Sequence, residues 1–429
     1  MSHIQAPPTR GGLSHRIVRM TGRDPNESHR AATPLELLFD LTFVVAFGQA
    51  GEQMAHLLAE GHVGAAIGGF AFAMFAICWA WINFTWFASA YDTDDWFFRI
   101  ATMVEMVGVI VLALGLPTVF HSIDSGEGLG NGVIVAGYVV MRLAMIALWL
   151  RVAKHDKLRR PTALTYAVVI FAAQVGWVAV ALVNPPLNVI ALVIGVGVVI
   201  EAGGVYLAER KTSGTPWHAD HLAERYGLLT IITLGETLFG TVAAVSAIVQ
   251  EQNWSSEAIA VLTAGVGLSF ALWWNYFVLP SGAILHRYRG RVWWWSYGHI
   301  LIFSAIAATG AGIHVAAYVV DGTAHVGTLG AVLSVAIPVL VYFVALLAIY
   351  AYMVHAVDPF HFALVAGVVA VLVAATSDAA SGGSLGICLL LVTLSPIIVV
   401  VGYETIGHRH EAAVLEQALS APTPRGTPG

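Results

Sequence analysis

A chain of 429 residues with 58% hydrophobic and 11% charged side chains is not a soluble globular domain, since soluble domains carry about 25% charged residues to cover their surface. The net charge of −6 hides the useful feature, which is that charges collect in short gaps between long apolar runs, with no basic face of the kind that binds nucleic acid. Two cysteines, Cys78 and Cys388, both within apolar runs, exclude a disulfide framework and read as small packing residues.

In chain order, residues 1–33 form a basic segment expected to be a disordered tail. It is not a signal peptide, because the apolar run that follows is a full span with acids near its start and no small-residue cleavage pattern. A helix needs about twenty apolar residues to cross the hydrocarbon core. Runs of that kind predict spans at 34–58, 64–89, 98–120, 131–151, 163–183, 187–208, 224–248, 257–279, 292–317, 327–353, 360–377 and 385–406. The eleventh is short, and the fifth and sixth are divided by the Pro185-Pro186 turn. The Pro- and Gly-rich stretch 409–429 reads as a second tail. The fold class is therefore all-α: a polytopic transmembrane bundle of about twelve spans in a lipid bilayer.

The cations orient the bundle. Of twenty Lys and Arg, five lie in the N-terminal segment. Arg99, the group Arg151 to Arg160, then Arg210, Lys211 and Arg225, and Arg287, Arg289 and Arg291 border alternate loops, and Arg409 and Arg425 end the chain. The intervening gaps, including 121–131, 250–256 and 321–325, have no Lys or Arg. The positive-inside rule then puts both termini and all these loops in the cytoplasm. The remaining cation, Arg142, lies within the fourth span.

The two halves echo each other. Trp81, Asn83, Ser89 and Arg99 recur 192 residues later as Trp273, Asn275, Ser281 and Arg291, and Glu36 and Thr42 recur 188 later as Glu224 and Thr230. An offset of six spans is even, so the expected arrangement is a parallel six-plus-six repeat, with halves at 34–210 and 211–408.

An ionised side chain at the bilayer centre costs about 2.5–3.5 kcal/mol on insertion scales, so retained charges usually face the protein interior and have partners. Glu36 and Asp40 share a helix face, as do Glu52 and His56 near the other end of the same span. Glu105, Arg142, Glu201, Glu236 and His299 lie within spans, and His314 lies near the outer end of the ninth. Arg142 stays charged, so a buried carboxylate must compensate it; Glu236, Glu105 and Glu201 are the candidates by depth. Either this is a static pair that sets helix register, or one carboxylate exchanges its partner for a proton or a substrate. Acids in the first turns also suit a helix N-terminus, which covers Glu36 well and the deeper Asp40 less well. His218, His221 and Glu224 fall at i, i+3 and i+6, but no metalloprotease-type pattern completes a metal site, and no cofactor is expected. His286, His355 and His361 read as interface residues. The aromatic clusters Trp79–Trp86 and Trp293–Trp295 read as interface and packing residues. No lysine falls within a span, which excludes a retinal Schiff base.

The segment Pro34-Leu-Glu-Leu-Leu-Phe-Asp-Leu-Thr-Phe-Val-Val-Ala-Phe47 resembles the opening span of the bacterial low-temperature-requirement A family. His221-Leu-Ala-Glu-Arg-Tyr-Gly-Leu-Leu-Thr-Ile-Ile-Thr-Leu-Gly-Glu236 is similar to that family's most distinctive stretch, and Trp273-Trp-Asn-Tyr-Phe277 and Tyr297-Gly-His299 agree. The resemblance runs over about 33–408. It implies an integral protein of the bacterial cytoplasmic membrane, associated by name with growth in the cold, and it supplies no substrate. The positions it carries over are Glu36, Asp40, His221, Glu224, Arg225, Gly235, Glu236 and His299. Val278 stands where the family often has an acid. The resulting expectation is a secondary transporter or permease for a small ion or molecule, with or without proton coupling, and with a midplane charged site. The alternative is a membrane-embedded enzyme or lipid-handling protein.

Overall fold

The computed structural model describes residues 16–28, 30–183, 185–211, 214–354 and 359–407. Thirteen α-helices follow one another: α1 Pro34–Ala59, α2 Val63–Tyr91, α3 Trp96–Ser125, α4 Gly132–His155, α5 Arg160–Val183, α6 Leu187–Glu209, α7 Ala219–Gln252, α8 Ser256–Phe277, α9 Ser281–Arg287, α10 Val292–Val320, α11 Thr328–Val354, α12 Pro359–Ala380 and α13 Leu385–Gly402. They make up twelve segments long and apolar enough to cross a membrane, the short α9 forming the end of the segment that begins with α8. No strand occurs among the described residues.

Local sequence explains the helix boundaries. Thr33 caps α1 and Glu36 answers with its own side chain, a capping box before Pro34 at the first helical position. Asp95, Ser255 and Ser384 cap α3, α8 and α13 by side-chain bonds to Phe98, Ala258 and Ile387 N–H. His218 caps α7, which begins at Ala219 rather than 224, so Glu224 and Arg225 lie inside the helix and not at its start.

Prolines within spans free carbonyls of the preceding turn from their usual helical partner. Pro396 has no N–H for the Val392 carbonyl, which instead accepts from Ser395 Oγ at 2.7 Å. Pro338 likewise frees the Ser334 carbonyl, which faces Gly312 on α10 so closely that a Cβ at 312 would stand 2.2 Å from the oxygen.

The bundle is arranged about α10, the most buried span, while α5, α6 and α12 are peripheral. Leu114, Leu143, Leu182, Val199 and Phe362 are largely exposed, as lipid-facing residues should be. α1 packs on α3 and α7 on α10; α3 on α4 and α10 on α11; α4 on α5 and α11 on α12. α8 packs along α13, whereas α2 reaches α6 through Trp79 and Trp86. α1 and α2 meet α7 and α10 along a central seam.

The Arg- and Lys-bearing loops gather at one end of the bundle, called here the basic end. There the expected disordered tail is corrected over 16–28 and 30–33. Val18 N–H bonds Asp95 at 3.1 Å, Gly22 N–H bonds Asp156 at 3.2 Å, Arg23 N–H bonds Ala90 O at 3.0 Å, and Met20 is fully buried. Polar side chains at loop ends take up the segment's backbone groups, an option composition does not reveal. The second expected tail, 409–429, and His355 lie outside the described residues.

Candidate functional site

Near the basic end, α1 and α7 bury a network of ionised groups. Glu36 accepts the Thr33 N–H at 2.8 Å and also pairs with Arg225 at 2.9 Å and His221 Nε2 at 3.1 Å. One turn on, Asp40 takes Arg225 in a bidentate grip, at 3.1 Å from Nε and 2.5 Å from Nη2, and accepts from Trp81 Nε1 at 2.6 Å. Glu36, Asp40, His221 and Arg225 are fully buried. Arg30 reaches in from the N-terminal segment, 3.9 Å from Glu36 and 3.5 Å from Asp92. Three carboxylates, Glu36, Asp40 and Asp92, thus share two guanidiniums, and neutrality requires one proton, on Asp92 or on His221.

A histidine with a different character sits nearby. His299 has Nδ1 2.6 Å from Trp295 O and Nε2 3.0 Å from Tyr276 Oη. The carbonyl requires Nδ1 to be the donor, and the tyrosine hydroxyl faces Nε2, so both ring nitrogens have partners. The Tyr226 ring links it to Trp81, at 4.9 Å and 4.8 Å.

Arg142 finds its partner on α6: Glu201, at 3.1 Å. Trp79 and Trp177 donate their indole N–H groups to the same carboxylate, the second at 3.0 Å, and the Tyr138 ring lies 5.2 Å from the guanidinium. A small cavity of about 20 Å³ touches Glu201, room for one or two waters. Glu105 on α3 is buried within reach of the Arg142 charge, and its Oε1 has no hydrogen-bond partner. Two carboxylates here face one guanidinium.

Glu236 stands apart. It lies halfway along α7, half-buried, and pairs with no described residue. The space around its carboxylate comes from glycines. A Cβ on Gly48 of α1 would lie 3.4 Å from Oε1, and one on Gly51 3.8 Å from Oε2. On the other side α7 and α10 are in backbone contact, since a Cβ on Gly310 would lie 2.5 Å from the Glu236 carbonyl carbon, and one on Gly240 2.4 Å from the Gly310 oxygen.

The structure therefore places the sequence candidates, His299 and Glu224 aside, in three separate places. Glu36, Asp40, His221 and Arg225 come together; Glu105, Arg142 and Glu201 come together; Glu236 is by itself. Glu224 is exposed and accepts the Ala32 N–H at 3.2 Å, and His218 caps α7, so the histidine and glutamate spacing there forms no ligand set. Among the described residues no group of three or more His, Cys, Asp or Glu is placed to hold a metal. His286 pairs with Asp220 at 3.0 Å and His361 packs edge-on to Tyr350.

Sequence reasoning missed Arg30 and Asp92, which sit outside the spans, and the polar role of the tryptophans. Trp79, Trp81 and Trp86 are buried packing residues, and each indole also bonds a carboxylate within the bundle: Glu201, Asp40 and Glu209. The available signal was coincidence of depth between a span acid and a span tryptophan, since an indole N–H in hydrocarbon needs an acceptor.

Asp92 offers a direct measurement. Burial, and then the neighbouring Glu36 charge, push its carboxyl from the ordinary 3.8 up to about 6, against the pull of Arg30. A folded-state value above the unfolded one means the folded protein holds the extra proton between pH 3.8 and about 6. Stability from this group is therefore present at low pH and falls as pH rises through that window, by about 3 kcal/mol in full. Asp92→Asn should be flatter across pH 4–6 and more stable than wild type at pH 7, read by thermal unfolding in detergent. Parallel profiles for both proteins would refute the assignment.

Comparison with known proteins adds the family. The model of the bacterial low temperature requirement A protein matches residues 31–396. An uncharacterized protein of Rhizobium meliloti (strain 1021) is 27% identical over 280 residues, which cover 63% of this chain and 64% of that protein, leaving about a third of the relative unmatched. No solved structure matches. With the model covering most of the chain, including every residue of the ionic network from α1 and α7, this multi-pass membrane protein belongs to the bacterial low-temperature-requirement A family.

Proposed function

We propose that the protein is a secondary carrier for a small ion or molecule, in which Glu236 is the group that gains and loses a proton. One observation carries the reading: a carboxylate halfway along α7, with no partner among the described residues, at the seam where α1 meets α7 and α10. A static structural acid would be paired, as Glu36, Asp40 and Glu201 are, or would lie in reach of a buried cation, as Glu105 does of Arg142. An unpaired one at this depth is stable only when protonated or when it holds a cation.

A parallel six-plus-six repeat is part of the proposal, and likeness between the two proposed halves supports it. Packing of α1, α3, α4 and α5 has counterparts in α7, α10, α11 and α12. Asn83 and Asn275 each bond the carbonyl four residues back at 2.7 Å. Divergence between the halves is equally visible, since Glu36 is buried and Glu224 exposed, and Trp81 is buried and Trp273 44% exposed. The Lys and Arg of the basic end support a cytoplasmic placement for that end and for both termini.

The test uses purified protein in liposomes holding a lumenal pH dye, screened with small cations and amino acids. Solute-dependent proton movement is expected with wild type, and Glu236→Gln should reduce it to the level of protein-free liposomes. Equal, gradient-independent leakage in both would refute the reading.

A second reading, lipid handling or membrane-embedded enzyme chemistry in cold adaptation, is favoured by a different feature. An apolar groove of about 430 Å³ lies between α1, α2, α10 and α11, running from Leu58 and Val63 to Ile337 and Val341. An unchanged lipid profile in a deletion strain grown cold would count against it.

A further inference from the structure

Glu52 and His314 occupy positions that packing does not account for. Glu52 lies eight residues before the C-cap of α1, about 12 Å inside the span. His314 lies seven residues before the C-cap of α10, about 10 Å inside. Both are at the end opposite the basic loops. The Glu52 side chain accepts from Gln49 Nε2 at 3.3 Å, and its charge reaches both His314 and Tyr318 across the seam. The His314 and Tyr318 rings lie 6.5 Å apart, His56 lies 6.4 Å from Tyr318, and His56 pairs with Glu60 at 3.5 Å at the membrane edge. Facing sides of α1 and α10 thus carry a file of ionisable groups that starts at the surface and descends about two turns.

Glu52 and His56 are exposed, and His314 is not closed off either. Facing lipid, such groups would each carry a cost of a few kcal/mol, but facing water they carry none. The file leads to Glu236. Gly51, the residue before Glu52, is one of the two glycines that leave room beside the Glu236 carboxylate. Toward the basic end the way is filled: Leu229, Thr230 and Thr233 are buried on α7, above the Tyr226 and Trp81 rings. From the remaining side, α8 sets Gly265 against Thr241, and its acid, Glu257, bonds the Gly386 N–H of α13 at 2.6 Å.

We infer that α1 and α10 form a water-filled, cation-selective inlet to Glu236 from the end opposite the basic loops, with Glu52 and His314 as its lining residues. It rests on the carrier reading only in taking Glu236 as its terminus. Its ligands are protons and small cations, drawn in by the Glu52 charge.

Cysteine accessibility tests it in the otherwise native chain, whose own Cys78 and Cys388 are buried. Glu236→Cys is expected to react with hydrophilic methanethiosulfonates, faster with a cationic reagent than with an anionic one of similar size. Adding Glu52→Gln should lower that preference several-fold, while Glu127→Gln, an exposed loop acid at the same end, should leave it unchanged. Gly48→Cys supplies a second probe, since the nearest atoms to its Cβ belong to Glu236 alone. If folded protein reacts at neither position, or if the preference survives Glu52→Gln, the inlet is refuted. Charge-selective labelling in a protein that moves no solute would uphold the inlet and count against the carrier.

Discussion

Arg225→Met is expected to cost about 3–5 kcal/mol, because it strands carboxylates in a site from which water is excluded. Arg225 alone serves both acids of α1, and it is fully buried with them. Glu36 would retain His221 and the more distant Arg30, but Asp40 would be left with the single Trp81 N–H. The expected result is loss of the monodisperse peak on size exclusion after detergent extraction. Adding Glu36→Gln and Asp40→Asn should recover much of it, since removing both sides of a buried ion network is far less harmful than removing one. A single Arg225→Met variant as stable as wild type would show that the acids are already neutral.

The second large effect is steric. Gly310→Val places a Cβ 2.5 Å from the Glu236 carbonyl carbon and 2.6 Å from its oxygen. These are backbone atoms, which cannot swing aside, so α7 and α10 must separate. Overpacking of this kind costs about 1–3 kcal/mol and here also shifts Glu236 relative to α1. Thermal unfolding should show the loss, and solute-coupled proton movement should fall with it. Gly235→Ala is the matched control. No atom lies within 4 Å of a Cβ at Gly235, and alanine is the better helix former, so equal or higher stability is expected. A Gly310→Val protein as stable as this control would mean the seam is looser than described.

The two variants probe features of unequal visibility in the sequence. The spans were legible because hydropathy is a local property summed over about twenty residues, and even the short eleventh span has its helix, α12. Glu36, Asp40, His221 and Arg225 were legible as costly residues, and the partner of Arg142 was narrowed to three acids by depth. Choosing Glu201 among them required knowing that α6 lies beside α2 and α4, a long-range fact that no periodicity carries. The close approach of α7 and α10 was illegible for a related reason. Glycines are frequent in this chain, and only the pairing of Gly240 with Gly310 distinguishes a crossing point from a tolerated gap. Arg30 and Asp92 escaped because burial was inferred from span membership, whereas loops folded back over the bundle bury charge as well.

That folding back also bears on how the protein can be handled and how it can move. The stretch from Val18 to Ala32, through its described residues, ties itself to the ends of α2, α3, α4 and α7 by way of Ala90, Asp95, Asp156 and Glu224. It behaves as a clasp across loops from both halves, so pulling α1 and α7 apart at that face first means undoing it. Shortening the chain as far as Arg16 spares every bond of the clasp, whereas cutting at Thr33 removes it whole and takes Arg30 out of the acid cluster. Proteolysis within 18–32 would then report opening of this face in real time, with the transmembrane helices themselves untouched.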